Sequence, residues 1–304
     1  MDYQLVIKNI FKEKLQEIEL VSETSNKVYK IITTDGEILY AKFYQQNSFH
    51  IDNELKVYDL IDHKYLKDLY YISEEYKMAI FRELVGKTVD ELTEQELEEY
   101  KDSIICSVCD YFNTMKKHKT NGYGILDQDL NGTYEDFYTF LQERQKGTST
   151  ILQEYTELNC LFDLIFQKYR NIIKPDNSLT PIDTNLKNIM VLTDGTIKFC
   201  DPGEMISAPI LMAYGDFVAH IYKTPLYEVL IQKLNLNSTE EKLLRIYAIF
   251  SSLNILAFLK KNGVDELKNI IPYGNKYTFY NLINEHLEHL NIQPKSNKTK
   301  KLQP

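Results

Sequence analysis

Residues 179–204 decide the fold, and they read LTPIDTNLKNIMVLTDGTIKFCDPGE. Two short apolar runs lie within this stretch, at residues 189–192 and 197–200, and the sequence Thr-Asp-Gly-Thr separates them. An aspartate-glycine pair between β-prone runs is typical of a hairpin turn, because both residue types tolerate a positive φ. The stretch therefore predicts a β-hairpin.

Polar side chains flank both ends of the predicted hairpin. Asp183 and Asn188 precede its first strand, and Asp201 and Gly203 follow its second strand. Because a hairpin brings its outer ends together, we expect Asp183, Asn188 and Asp201 to converge. Phosphoryl transfer needs a carboxylate to orient or deprotonate the attacking hydroxyl, and oxygen ligands to hold Mg²⁺ against the phosphates. An ordinary hairpin with acidic loops is the alternative for this stretch taken alone.

This Asp-x4-Asn, hairpin, Asp-x-Gly arrangement resembles the catalytic core of the aminoglycoside phosphotransferase and choline kinase branch of the protein-kinase-like fold. The resemblance implies that Asp183 is the catalytic base, that Asn188 and Asp201 bind Mg²⁺, and that ATP is the phosphoryl donor. Two positions depart from the family pattern. Pro181 stands where the family usually has His, and Pro202 stands where Phe, Trp or a small residue is commoner.

The N-terminal part of the chain predicts a small antiparallel sheet. Residues 1–18 have apolar residues at helical spacing and predict a leading helix, and residues 19–44 have the pattern of three strands joined by two turns. The first turn, at residues 22–27, contains no glycine. The resemblance implies that Ser25 and Asn26 contact phosphate there through backbone amides and a hydroxyl, with a plain polar turn as the alternative.

A lysine on the third predicted strand is a candidate phosphate ligand. Lys42 lies on the opposite strand face from its apolar neighbours, a position more often taken by a solvent-facing lysine. Residues 50–62 then have helical spacing and carry Glu54, with Asp52 as the fallback. A strand lysine paired with a carboxylate of the next helix resembles the device that directs a positive charge at the α- and β-phosphates in kinases.

The chain then resembles the hinge of the family. Residues 69–85 predict another hairpin, whose second strand is apolar and leads into charged residues and Gly86. The resemblance implies that the backbone of Arg82 and Leu84 hydrogen-bonds adenine. We place the boundary between the two lobes near Glu83.

The rest of the chain predicts a helical lobe. Thr93 and Glu96 form a capping-box pattern at the start of a helix that ends near residue 117. Asp216 falls near a helix start, where the resemblance implies a hydrogen bond to the backbone of the catalytic loop. Residues 121–141 predict a loop with two tight turns that leads into a helix. Further helices are predicted at about 134–146, 151–173, 225–234, 237–262 and 276–291.

The fold expected from these features is a two-lobed α+β protein-kinase-like fold. Its small N-lobe, residues 1–83, is an antiparallel sheet that binds the nucleotide. Its mostly helical C-lobe, residues 84–292, is catalytic and binds the acceptor, and residues 293–304 form a disordered basic tail.

Composition excludes some classes of protein. The net charge of −9 argues against a nucleic-acid partner, and no apolar run approaches the roughly 18 residues of a membrane span. The N-terminus lacks the pattern of a signal peptide, so we expect a cytoplasmic protein with no membrane partner. The oligomeric state is not determined by the sequence. The Cys106 and Cys109 pair falls on one helix, where it predicts core packing rather than a zinc site.

The function expected is ATP- and Mg²⁺-dependent O-phosphorylation of a small molecule. The acceptor hydroxyl would belong to an amino sugar, an aminoglycoside-like antibiotic or an amino alcohol, which the branch mostly uses. The alternative is a catalytically silent, kinase-like binding or scaffold protein, suggested by Pro181, Pro202 and the glycine-free turn. A protein kinase is a weaker option, because an Ala-Pro-Glu segment is absent after Asp201.

Overall fold

The computed structural model describes residues 2–23, 26–44, 57–58, 60, 65–152, 158, 160–173, 176–201, 204–264 and 277–293. Positions 294–304 of the predicted tail lie outside the described residues. So do five residues of the predicted sites: Ser25, Asp52, Glu54, Pro202 and Gly203. The chain forms two compact units. The first contains Met1–Thr88 and Asn188–Glu204, and the second contains Val89–Lys187 and Met205–Pro304.

The first unit contains a five-stranded antiparallel sheet with the strand order β1-β2-β3-β5-β4. The three strands predicted for residues 19–44 and the turn at Asp35 and Gly36 are confirmed, as is the hairpin predicted for residues 69–85. The strands are β1 Leu15–Glu23, β2 Asn26–Thr33, β3 Ile38–Tyr44, β4 Leu69–Ser73 and β5 Met78–Arg82.

Helix α1, Tyr3–Phe11, is shorter than the helix predicted over residues 1–18. Asp2 caps it by accepting a hydrogen bond from the Leu5 amide at 3.1 Å. Lys12, with φ at 50°, turns the chain out of the helix. The following residues from Leu15 onward hydrogen-bond to β2 instead, so pairing within the sheet overrides their helical spacing. Buried residues of α1 join β2, β3 and β5 in one apolar core.

A smaller sheet in the same unit contains the hairpin predicted for residues 189–200. Strand β10, Ile189–Leu192, pairs antiparallel with β11, Ile197–Phe199, and on its other side with β6, Gly86–Thr88. The predicted hairpin is confirmed. Gly195 has φ at 81° in its turn, the backbone conformation for which the Asp-Gly pair is suited.

The pairing of β6 with β10 explains how the compact units are composed. It brings the hairpin into the first unit, although the sequence places it in the lobe that begins at residue 84. The predicted limits of the lobes and of the tail remain predictions.

The second unit is mostly helical. The capping box predicted at Thr93 is confirmed, since Thr93 and Glu96 each accept a hydrogen bond from the other's backbone amide. The helices predicted at 225–234, 237–262 and 276–291 are also present. The described helices are α2 Glu94–Lys117, α3 Phe137–Ile151, α4 Leu161–Tyr169, α5 Leu211–Ile221, α6 Pro225–Leu234, α7 Ser238–Lys261 and α8 Phe279–His289.

The second unit also contains a four-stranded sheet that sequence patterns missed. The order is β8-β7-β12-β9, and the predicted loop at 121–141 contains the hairpin of β7 and β8. These strands are only three to five residues long and two of them contain glycine, so their alternation is too short to detect. The bounds are β7 Tyr123–Leu126, β8 Gly132–Tyr134, β9 Ser178–Ile182 and β12 Glu204–Ala208.

Helices α5 and α7 cross closely in the core of the second unit. A Cβ atom added to Gly215 of α5 would lie 2.4 Å from the Cβ of Tyr247 of α7, so glycine permits the approach. Of the described helices, α7 is long and apolar enough to span a membrane by length and composition. More than half of that segment is buried inside the structure, and core helices of soluble proteins pass the same test.

The two cysteines of α2 have different environments. Cys109 is buried, as expected for core packing, whereas Cys106 is exposed and lies 3.1 Å from the Nζ of Lys233. The prediction that both pack in the core is therefore wrong for Cys106. Three positions along a helix correspond to a rotation of about 300°, so the two side chains point about 60° apart. Cys106 therefore lies at the edge of the buried stripe.

Candidate active site

Asp183 lies at the first residue after the buried strand β9, in the second unit. Its φ is 67°, in the left-handed region that most side chains avoid and that aspartate tolerates better than most. Such a conformation persists where neighbouring groups hold it, and it is concentrated at functional sites.

Asp216 of α5 holds the backbone around Asp183. Its Oδ2 accepts hydrogen bonds from the Asp183 amide at 2.7 Å and from the Thr184 amide at 3.3 Å. Its other oxygen accepts from the Ser251 hydroxyl, and the Asp216 side chain is buried. The contact predicted for Asp216 is confirmed. Hydrogen bonds to a carboxylate are roughly twice as strong as neutral ones, so this group can stabilise an uncommon backbone conformation.

The Asp183 carboxylate is exposed and is oriented by Asn185. The Asn185 side-chain Nδ2 donates to Asp183 Oδ1 at 2.9 Å, and the Asn185 side-chain Oδ1 accepts from the Lys187 backbone amide at 3.0 Å. Sequence reasoning missed Asn185. The sequence did contain a signal for it, because Asn and Asp side chains commonly hydrogen-bond the backbone two residues later.

In the first unit, Lys42 of β3 forms an ion pair with Asp201. The Lys42 Nζ lies 2.9 Å from Asp201 Oδ2 and 4.8 Å from the centre of the Tyr44 ring. Lys42 has 9% of its surface exposed, so it is buried rather than solvent-facing. Its predicted partner Glu54 is outside the described residues, and the contact with Asp201 was not predicted.

Asn188 and Asp201 lie at the two ends of the β10–β11 hairpin. The Cys200 amide donates to the Asn188 backbone oxygen at 2.8 Å, which closes the base of the hairpin immediately before Asp201. This bond brings the backbones of residues 188 and 200 together, and the convergence of the Asn188 and Asp201 side chains remains a prediction. Asp183 belongs to the second unit.

The donor set at the hairpin base suits Mg²⁺. An amide oxygen and a carboxylate are hard ligands, and Mg²⁺ commonly takes one or two protein oxygens together with water and phosphate oxygens. Over the described ranges, no group of three or more His, Cys, Asp or Glu side chains could hold a metal by itself. Burial raises the pKa of the neighbouring Cys200 thiol to about 11, so that side chain remains neutral beside Asp201.

The hinge residues emerge from β5. The Arg82 amide donates to the Asp68 backbone oxygen at 2.9 Å. Of the Arg82 backbone groups, the carbonyl is therefore the one that could hydrogen-bond a nucleobase. The Glu83 amide donates to the Ile38 oxygen at 3.1 Å, on the side of β3. Leu84 follows as an irregular, half-buried residue, and Asn26 begins β2 opposite Tyr44.

Comparisons with known proteins identify the fold. No protein-family model matches the chain, and no curated protein matches it. Among solved structures, a thermostable mutant of aminoglycoside phosphotransferase APH(4)-Ia in its apo form has a TM-score of 0.65 and 12% identity, over 86% of this chain and 92% of that chain. Choline kinase LicA from Streptococcus pneumoniae has a TM-score of 0.62 and 12% identity, over 96% of this chain and 99% of that chain.

A third similar structure is the GDP complex of an aminoglycoside 2'-phosphotransferase-IIIa mutant. Its TM-score is 0.63 at 12% identity, over 95% of each chain. At such low identity these likenesses establish the fold. The chain therefore has the two-lobed α+β fold of aminoglycoside phosphotransferases and choline kinase, as the sequence predicted.

Proposed function

We propose that this protein is an ATP-dependent phosphotransferase that acts on the hydroxyl group of a small molecule. The observation that carries the proposal is the ion pair between Lys42 and Asp201 at the base of a hairpin that also carries Asn188. A buried lysine paired with a carboxylate beside a second oxygen ligand is the arrangement that nucleotide phosphates and their metal require. The fold is one whose other members include structures with AMP-PNP, GDP and AMP.

Lys42 is assigned to the α- and β-phosphates. Its position on β3, in the middle of the five-stranded sheet, restricts the direction of its long side chain. Asn188 and Asp201 are assigned to Mg²⁺, which when bound would neutralise charge on the phosphate oxygens. In this structure Lys42 contacts Asp201, and in the nucleotide complex it would also contact phosphate oxygens. Glu54 is proposed as the further carboxylate partner of Lys42.

Asp183 is assigned to the acceptor hydroxyl as the catalytic base. Its exposed carboxylate can accept a hydrogen bond from that hydroxyl and take its proton during transfer. Two features support the role: Asp216 restrains the backbone, and Asn185 restrains the side chain. A restrained carboxylate loses less freedom when it aligns with the attacking oxygen.

The adenine and the outer phosphates are assigned to backbone groups. In an extended chain, the backbone groups of residues two positions apart point in the same direction. The carbonyl of Arg82 and the amide of Leu84 could therefore meet the donor and acceptor on one edge of adenine. Ser25 and Asn26, at the turn between β1 and β2, would contact phosphate. These roles assign nucleotide binding to residues 1–83, and catalysis and acceptor binding to residues 84–292.

The acceptor is proposed to be an amino sugar, an aminoglycoside-like antibiotic or an amino alcohol. Two observations favour a cationic molecule. The net charge of −9 favours approach of a cation, and one similar structure is a ternary complex of APH(4)-Ia with AMP-PNP and hygromycin B. Choline kinase LicA is similar to the chain over nearly its whole length. We place the reaction in the cytoplasm, where ATP is available.

Isothermal titration of ATP with and without Mg²⁺ tests the nucleotide site. We expect Mg²⁺-dependent binding in the wild type and its loss in Asp201→Asn, which keeps the shape of the side chain but removes its charge. Asp163→Asn is the matched control, because Asp163 is an exposed aspartate of α4 that has no assigned role. Equal binding in all three proteins would contradict the assignment of Asp201.

A turnover assay with ATP and a panel of aminoglycosides and amino alcohols tests the reaction. Phosphorylation of at least one hydroxyl acceptor is expected. If ATP–Mg²⁺ binds but no member of the panel is phosphorylated, the proposed acceptor class is wrong. Absence of nucleotide binding in the wild type would instead favour the catalytically silent scaffold suggested by Pro181 and Pro202.

A further inference from the structure

Ser251 of helix α7 contacts the carboxylate that holds the loop beginning at Asp183. Its hydroxyl donates a hydrogen bond to Oδ1 of Asp216. Oδ2 of the same carboxylate accepts from the backbone amides of Asp183 and Thr184. A serine of α7 is therefore only two hydrogen bonds away from the backbone of the residue assigned as the catalytic base.

The Asp216 carboxylate depends on hydrogen bonds to compensate its charge. Only 8% of the Asp216 surface is exposed. Over the part of the chain that the structure describes, no lysine or arginine forms an ion pair with it. His220 lies one turn later on α5, and burial lowers its pKa, so the ring is neutral at neutral pH. A buried carboxylate without a countercharge needs hydrogen-bond donors, and Ser251 is the donor at Oδ1.

The bond from Ser251 also restricts the rotation of this carboxylate. The torsion that turns an aspartate carboxylate about its Cβ–Cγ bond has broad minima, so it needs outside restraint. The Asp183 and Thr184 amides both bind Oδ2 and leave Oδ1 to another donor. A hydrogen bond at Oδ1 opposes rotation, because turning the group would break it. Without that bond, Oδ2 can move away from the two amides that maintain the positive φ of Asp183.

Helix α7 is fixed on both sides of Ser251. One turn before it, Tyr247 packs against Gly215 of α5, where an added Cβ atom would lie 2.4 Å from the Tyr247 Cβ. One turn after it, Asn254 Oδ1 accepts a hydrogen bond from the Thr148 hydroxyl of α3 at 2.6 Å. Contacts with two other helices therefore determine where the Ser251 hydroxyl lies.

We propose that Ser251 is a positioning residue for phosphoryl transfer, which acts through Asp216 on Asp183. Its hydrogen bond keeps the Asp216 carboxylate on the Asp183 and Thr184 amides, and this keeps the Asp183 carboxylate directed at the acceptor hydroxyl. The role in the reaction rests on the proposed function, which assigns Asp183 as the base. The restraint on the backbone is a property of the fold, and it can be measured without any substrate.

Three variants of the full-length protein isolate the effect of the hydroxyl. Ser251→Ala removes it, and Ser251→Thr retains a hydroxyl at the same position. Ser252→Ala is the matched control, because Ser252 is the next residue of the same helix and is completely buried. The Ser252 hydroxyl has no hydrogen-bond partner among the described residues, so its removal breaks no bond to Asp216.

Hydrogen exchange of backbone amides, measured by NMR on ¹⁵N-labelled protein, tests the restraint. Ser251→Ala should accelerate exchange at the Asp183 and Thr184 amides by at least about tenfold, because their acceptor is no longer held in place. Ser251→Thr and Ser252→Ala should exchange at the wild-type rate at these two amides. Equal exchange in the wild type and Ser251→Ala would overturn the proposal, as would an equal acceleration in Ser252→Ala.

Steady-state kinetics test the consequence for the reaction, with ATP–Mg²⁺ and a member of the acceptor panel that the wild type phosphorylates. Ser251→Ala should lower kcat by about 10–100-fold and leave the KM for ATP unchanged, since a small misplacement of a reacting group has effects of this size. Ser251→Thr should restore kcat. Faster exchange with an unchanged kcat would overturn the positioning role. A wild type that phosphorylates no acceptor would overturn the proposed function and this role together, whereas the exchange rates would still establish the restraint on the loop.

Discussion

At the scale of single residues, the φ of 67° at Asp183 results from its place between a buried strand and the Asp216 carboxylate. Oδ2 of Asp216 accepts from two successive backbone amides, and this geometry requires the chain to turn sharply after Ile182. Aspartate and asparagine tolerate the left-handed region because their short polar side chains can bond locally. Asn185 makes such a local bond to Asp183. Backbone conformation and carboxylate orientation are thus determined together.

Asp183→Asn and Asp183→Ala should separate catalysis from backbone strain. We expect both to lower turnover by about 10²–10⁴-fold, the usual contribution of a general base, with ATP binding retained. In urea unfolding, Asp183→Ala should be about 1 kcal/mol less stable than Asp183→Asn, because alanine tolerates a positive φ poorly. Turnover that survives Asp183→Asn would show that Asp183 is not the base. Equal stability of the two variants would argue against the left-handed backbone.

His286 should make the protein less stable in acid. Burial, followed by the nearby cations Arg245, His289 and Lys223, lowers its pKa from 6.5 to about 3. The folded state then resists protonation, whereas the unfolded state takes up a proton below about pH 6.5. The free energy of unfolding should therefore fall with decreasing pH between these two values, by about 1 kcal/mol from pH 6.5 to 5.5.

Urea unfolding of the wild type and His286→Gln at several pH values measures this effect. The variant lacks the ionisable ring, so its stability should fall less steeply over the same interval. Burial also lowers the pKa of His220, against the opposing charge of Asp216, and both proteins retain that contribution. Identical slopes in the two proteins would show that His286 does not titrate as expected.

At the scale of elements, strand β6 shows why a glycine ends the hinge. A Cβ atom added to Gly86 would lie 2.2 Å from the Val191 oxygen and 2.7 Å from the Leu192 Cα. These atoms belong to the backbone of β10 and cannot move aside as a side chain could. Gly86 therefore permits the close pairing of the two strands.

Two glycine-to-alanine substitutions should have opposite effects. Gly86→Ala should destabilise the protein by about 1–3 kcal/mol, because the added methyl group separates β6 from β10. Gly147 lies inside α3, and a Cβ atom there meets nothing within 4 Å. Gly147→Ala should therefore stabilise the protein by about 0.5–1 kcal/mol through helix propensity. Urea unfolding measures both, and a neutral Gly86→Ala would contradict the close strand pairing.

At the scale of the whole molecule, the first unit is assembled from two separate parts of the chain. Phe199 is buried, its amide donates to the Tyr65 oxygen at 2.7 Å, and its oxygen accepts from the Lys67 amide at 3.2 Å. The Thr193 amide also donates to the Val85 oxygen at 3.0 Å. Residues 188–204 thus complete a structure whose larger part lies a hundred residues earlier.

Residues 1–88 alone should therefore fail to form the native first unit. Joining residues 188–204 after residue 88 by a short Gly-Ser linker should restore it, since β6 and β10 are antiparallel neighbours that a short turn can connect. Proton–nitrogen NMR spectra and urea unfolding compare the two fragments. A cooperative, well-dispersed fragment 1–88 would contradict the requirement for the hairpin. The control is the same fusion with the sequence of residues 188–204 scrambled.

Much of this molecule could be predicted because its signals are local. The Asp-Gly turn of the hairpin, the capping box at Thr93 and the helical spacing of α6, α7 and α8 each depend on residues within a few positions of one another. The errors arose where a distant partner overrides a local pattern. Residues 15–18 have helical spacing but pair with β2, and the short strands β7 and β8 form only because each has a partner.

The chemistry at each site depends on residues that are far apart in the chain. Lys42 and Asp201 are 159 positions apart, and the Asp183 amide meets the Asp216 carboxylate 33 positions later. Local periodicity carries no information about such pairs. The residue types that can bind a nucleotide and a metal, and the hairpin that carries two of them, follow from sequence pattern, turn chemistry and family resemblance. The partner of Lys42, the left-handed backbone of Asp183 and the hydrogen bond from Ser251 to Asp216 follow from packing, because each depends on which side chains the folded chain brings together.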